Sequence, residues 1–183
     1  MNRRQRQRRA RITRVLALAP IVVLALGVLV GFWLPPVYQT TMVQRLPTSP
    51  DAIFAVLTDL DAMPTWRRDV VSLERLPEAG GIVRWQERDR RGRWTPLART
   101  AALPGRIEVE VATSRLTPRR WIYQWRAVDG QTELSVVEAT TIENPLERPL
   151  VRLFGGRRDY LARWVADIET RLNGRRQRLA AES

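Results

Sequence analysis

Hydrophobic positions along this 183-residue chain fall into three successive patterns. The first is continuous: Val15–Leu34 reads VLALAPIVVLALGVLVGFWL, twenty residues that are all apolar, glycine or proline. As a helix at about 1.5 Å per residue it would span roughly 30 Å, the thickness of a bilayer's hydrocarbon core. Pro20 is better tolerated in a membrane helix than in a soluble one. Trp33 at the far end, then Pro35-Pro36 and Tyr38, suit an interfacial anchor and a helix stop.

The second pattern alternates. Tyr38–Leu46 is a first candidate strand. After it Ser49, Pro50 and Asp51 read as N-cap, first helical residue and acidic first turn, opening a helix over Pro50–Asp59. Asp59–Trp66 reads as a second short turn. Strands are then expected at Val70–Leu76, Ile82–Arg88, Trp94–Leu103, Arg106–Ser114, Arg119–Val128 and Thr132–Ile142. Turn residues separate them at Gly80-Gly81, Arg91-Gly92, Pro104-Gly105 and Asp129-Gly130, which makes an antiparallel meander the economical topology. The third pattern is helical. Asn144-Pro145 opens it, Gly155-Gly156 interrupts it, and Tyr160, Leu161, Trp164, Val165, Ile168 and Leu172 then recur at three-to-four spacing until Asn173-Gly174. The fold class is α+β: a seven-stranded antiparallel sheet covered on one face by a long C-terminal helix, preceded by one transmembrane helix.

Charge sharpens this division. The formal net charge of +12 resembles a nucleic-acid signal until it is placed. Seven arginines (Arg3, Arg4, Arg6, Arg8, Arg9, Arg11, Arg14) precede the apolar run without an acid among them, and residues 15–44 carry no charge. Such a bias predicts an N-terminus held in the cytoplasm and a C-terminal domain outside it, in the cell membrane as a single-pass protein. No nucleic-acid partner is expected, because the basic excess lies mostly ahead of the span. A cleaved signal peptide is the competing reading, with Ala25-Leu26-Gly27 as a passable site, but the apolar run continues past it. The expected organisation is 1–14 basic N-terminus, 15–34 span, 35–40 linker, 41–174 folded domain and 175–183 polar tail.

Composition narrows the chemistry. The chain has no Cys and no His, and all 31 of its basic residues are Arg. Disulfides, thiolate nucleophiles, Ser-His triads, Schiff-base lysines and the usual zinc ligands are excluded. Asp59 and Asp61 read as helix-end and turn residues, and no metal or cofactor is expected.

Three stretches resemble a known family. Ser49–Asp51 through Asp59–Trp66 is similar to the opening of START-like (SRPBCC) proteins of the polyketide cyclase/dehydrase-like branch. Thr132–Glu138 resembles their last strand, and Asn144-Pro145-Leu146 with Leu150–Gly155 their entry into the C-terminal helix. Glu147 stands where an aromatic is often found. The resemblance covers residues 41–173 and implies a helix-grip fold enclosing a cavity for a hydrophobic small molecule or lipid; some members are enzymes.

Candidate ligand contacts follow from alternation. Trp121, Tyr123 and Trp125 share one face of their strand, and Trp85 and Trp164, with Trp66, are expected to face the same space. Glu138 is a carboxylate on a face shared with Leu134 and Val136. It needs an arginine such as Arg99 or Arg126, or else acts in the cavity as a polar anchor or acid/base group. The other strand arginines are expected on a solvated face with Glu partners, among them Arg84/Glu87/Arg88. The reading that results is a membrane-tethered binding domain. A cyclase/dehydrase-type enzyme using Glu138 or Tyr123, and a ligand-free protein-interaction scaffold, are the alternatives.

Overall fold

A computed structural model describes residues 20, 22–23, 25–111, 118–154 and 158–181. Residues 25–33 are helical (α1). They are followed by β1 (Val37–Leu46), α2 (Pro50–Thr58), α3 (Met63–Trp66), β2 (Val70–Ala79), β3 (Ile82–Asp89), β4 (Trp94–Leu103), β5 (Arg106–Val111), β6 (Arg119–Val128), β7 (Gln131–Thr141), α4 (Glu147–Phe154) and α5 (Arg158–Ala181). The chain divides into two compact units.

The larger unit, residues 37–141 and 156–183, holds the sheet and α5. Its seven strands pair antiparallel in the order β1-β7-β6-β5-β4-β3-β2. Local chemistry sets the elements. Asp129 and Gly130 both take positive φ, 49° and 74°, as a two-residue turn matched to strand twist requires. Ser49 Oγ accepts from the Ala52 N–H at 3.3 Å and Pro50 opens α2, as the sequence suggested. Period-two burial in β6 and β7 turns Trp121, Tyr123, Trp125, Leu134 and Val136 to one face. Against them pack Leu161, Trp164, Val165, Ile168 and Leu172 of α5, with Ile53, Val56 and Leu57 of α2. Each such side chain contributes on the order of 2 kcal/mol by leaving water.

Two expected boundaries move. The 35–40 linker is shorter, because β1 already begins at Val37, paired with Thr141. The 175–183 tail is helical as far as Ala181, and Gly174 lies inside α5. One glycine costs a helix about 1 kcal/mol, and the Arg, Gln, Leu and Ala that follow favour helix enough to carry it through. The last residues of the expected strand at Arg106–Ser114 and the Gly155-Gly156 break lie outside the described residues.

The smaller unit comprises residues 1–36 and 142–155. Arg148 donates to the carbonyls of Gly31 and Leu34 at 3.2 Å each, of Ile142 at 2.9 Å and of Glu143 at 3.1 Å. Arg152 donates to the Pro35 carbonyl at 3.0 Å. Two arginines of α4 thus take up carbonyls that the end of α1 leaves without helical partners. Gly31 permits the contact: a Cβ there would fall onto the Pro145 carbonyl oxygen. Leu146, Leu150 and Leu153 of this unit are exposed, as are Phe32 and Trp33, the last at 90%. Among the described residues no helix is long and apolar enough to cross a membrane. Residues 15–19, 21 and 24 of the expected span, and the basic segment 1–14, lie outside them.

Candidate functional site

Where β2–β6 curl beneath the first half of α5, the core does not fill. A cavity of about 410 Å³ lies there within the larger unit. Trp85 of β3, Trp121 and Tyr123 of β6, and Trp164 of α5 line it, with Leu57, Leu60, Ile107 and Val109. Tyr123 stacks on Trp164 at 4.8 Å between centroids, and Trp121 meets Trp164 and Tyr160 edge-on at 6.0 and 5.4 Å. These contacts fix the rings of the wall against one another. Burial pushes the Tyr123 phenol well above its ordinary value, so the hydroxyl stays protonated.

The other three sequence candidates are placed differently. Trp125 is buried beyond the cavity, tilted against Phe54 at 6.2 Å. Trp66 is half-buried, edge-on to Trp164 at 6.3 Å, and is not among the cavity-lining residues. Glu138 is 2% exposed on the inner face of β7, and Arg119 Nε lies 3.5 Å from its Oε1. The partner is therefore neither Arg99 nor Arg126. Arg126 sits on the outer face bound to Glu133 at 2.7 Å, whereas Arg119 shares the inner face with Trp121, which lies opposite Glu138 in register.

Sequence reasoning missed the polar end of the cavity. Arg67, in the bend after α3, is 7% exposed and fully engaged. Its Nε and Nη2 donate to the two Asp69 oxygens at 3.2 and 2.9 Å, and Nη1 reaches both Glu87 oxygens at 2.9 Å. Glu87 Oε1 also accepts from Trp85 Nε1 at 3.0 Å, and the Tyr160 hydroxyl donates to Asp69 at 2.8 Å. The guanidinium lies 5.9 Å from the Trp164 ring centroid. Next to it, the Arg68 N–H and Nε donate to Asp167 of α5, which ties the bend to the helix.

Burial opposes the charge of Arg67, yet the charges of Glu87 and Asp69 outweigh it and hold Arg67 above the ordinary arginine range. Asp69 is held below the usual carboxylate range, because Arg67's charge and hydrogen bonds outweigh its own burial. Burial pushes the Tyr160 phenol up, against the pull of Arg67. Glu87 was expected on a solvated face. It is buried, because alternation places it beside Trp85, two residues earlier on β3. That spacing was the available signal; for Arg67, in the polar run Arg67-Arg68-Asp69, there was none. Asp59 accepts from the Ala62 N–H, and Asp61 pairs with Arg75, so both serve turn and surface contacts. Among the described residues no group of three or more acids could hold a metal ion.

The site is thus an aromatic cavity beside a cluster in which two carboxylates share one arginine, leaving one net negative charge. Solved structures place the fold. A START superfamily protein from Mycobacterium smegmatis matches with TM-score 0.56 at 14% identity, covering 74% of this chain and 97% of that one. The Zhui aromatase/cyclase from Streptomyces sp. R1128 matches at 0.60 and 12%, covering 76% and 95%. A norcoclaurine synthase from Thalictrum flavum, solved with dopamine and hydroxybenzaldehyde, matches at 0.60 and 10%, covering 75% and 87%. At these identities the likeness is one of fold: the sheet and C-terminal helix are those of START-like helix-grip proteins. No family model and no curated protein matches the chain.

Proposed function

We propose that the larger unit is a ligand-binding domain that holds a hydrophobic small molecule between its sheet and α5. The observation that carries the reading is the cavity of about 410 Å³, within the range of small-molecule sites and lined by five aromatic side chains, Trp85, Trp121, Tyr123, Tyr160 and Trp164. Proteins of the START-like fold generally bind apolar small molecules, which supports the same reading. The cyclase/dehydrase alternative gains no support from its two acid/base candidates. Glu138 faces Arg119, and Tyr123 is kept protonated in an apolar wall.

The domain is held at the membrane by residues 15–34, with the N-terminus cytoplasmic and the domain outside. Supporting this are the uncharged run itself, the seven arginines before it, and the exposure of Val23, Leu26, Leu29, Phe32 and Trp33.

Native mass spectrometry of the full-length chain, released from mild detergent, tests the first claim. A co-purifying apolar molecule, displaced on organic extraction, is expected. A chain that is apo and takes up no two-ring aromatic probe would sink the reading. For the second, the cysteine-free sequence allows single-cysteine labelling in intact cells. Gln5→Cys should resist a membrane-impermeant maleimide and Leu103→Cys should react; the reverse pattern would invert the topology.

A further inference from the structure

Two donors in the cavity wall go unanswered. Arg99, on β4, lines the cavity, and its Nη1 is enclosed by protein with no acceptor among the described residues. No carboxylate lies within 4 Å of its guanidinium among them either. Trp164 Nε1, in the opposite wall, is likewise buried without an acceptor. By contrast, Arg67 in the same cavity is saturated by Glu87 and Asp69. The placement of Arg99 is local. The β4–β5 register slips between Arg99 and Ala101, a bulge that sets which way the flanking side chains turn, and Arg99 lies opposite Val83 and Val109. Burial and the charge of Arg75 both work against its protonated form, with only Glu78 opposing them.

Guanidinium and indole N–H groups donate and cannot accept. A half-buried cation with no carboxylate in contact, and only the more distant Glu78 offsetting its burial, is costly, so a group that completes this wall at Arg99 brings negative charge. We infer that the cavity's ligand is an amphipathic organic acid, whose apolar ring body lies among Trp85, Trp121 and Trp164 and whose anionic group pairs with Arg99. This rests on the ligand-binding reading above and adds the ligand's charge to it.

The test compares two probes with one body, 2-naphthoate and its uncharged primary amide, 2-naphthamide. Both are titrated calorimetrically into the full-length chain in detergent and corrected with a detergent blank. The acid should bind at least about tenfold more tightly than the amide, the lower end of what a hydrogen bond to a charged group contributes. The two should compete for one site. Arg99→Gln should bring the acid's affinity down to that of the amide, and Arg99→Lys, which keeps the charge, should retain most of the preference. Equal affinities, a preference that survives in Arg99→Gln, or acid and amide that do not compete would overturn the inference and leave the cavity reading standing. Binding of neither probe at millimolar concentration would overturn both.

Discussion

Replacing Arg67 with Met removes the cation that two carboxylates share, and their different exposure makes the result quantitative. The Glu87 side chain is 11% exposed and would keep only the Trp85 N–H; the Asp69 side chain is 38% exposed and would keep the Tyr160 hydroxyl and gain water. Breaking a buried pair by removing one partner costs about 3–5 kcal/mol. Glu87 should account for most of that here, since Asp69 can rehydrate. With a urea slope near 2 kcal/mol/M, the midpoint of the Trp fluorescence transition should fall by roughly 1.5–2.5 M. The discriminating arm is the pair of double variants. Arg67→Met/Glu87→Gln should recover at least half of the loss and Arg67→Met/Asp69→Asn little of it. Equal recovery by the two, or a single-variant loss below about 1 kcal/mol, would show that burial does not apportion this cluster.

Other consequences follow from the same geometry. Arg99→Met should raise the unfolding free energy of the ligand-free chain by of order 1 kcal/mol, because it removes a charge with no carboxylate in contact from the cavity wall; a lower value would mean Arg99 is structurally engaged. Tyr160 and Tyr123 have phenols raised above the ordinary value of 10.0. Folding therefore favours their neutral forms, a contribution complete below pH 10 and lost as pH rises beyond it. Their tyrosinate absorbance at 295 nm should appear together with loss of near-ultraviolet dichroism, and ionisation well ahead of unfolding would contradict the burial argument. Gly31→Val should expel the Pro145 carbonyl from its contact and speed amide exchange at residues 146–152, while β6 and β7 keep their protection. Unchanged exchange there would mean that the close approach is dispensable.

Much of the fold was legible because turn chemistry and period-two burial act locally. Gly80-Gly81, Pro104-Gly105 and Asp129-Gly130 each stand at a strand reversal, and β4 and β6 have the expected ends. The C-terminal end of α5 was misplaced because a lone glycine weighs less than the helix-forming run behind it. The cavity wall was half legible. Alternation brought Trp121 and Tyr123 to one face and helical spacing turned Trp164 toward the core, but whether a ring borders space or packing depends on sheet curvature. Trp125, on the same face as Trp121, is packed. The charged cluster was least legible, because Arg67 and Glu87 are twenty residues apart and each looks solvent-facing until the bend after α3 folds over β3.

The edge position of β1 has a bearing on synthesis. The first strand to be made pairs only with β7, the last, and about 85 residues separate the end of one from the start of the other. At translation rates of 5–20 residues per second, β1 waits roughly 4–17 s with both of its edges open. Its outward-facing Val37 and Val43 stay exposed even in the finished sheet. For this domain the interval most open to wrong pairing comes before the fold closes, and a nascent chain halted at Val128 would carry an unmated edge that the completed sheet no longer offers.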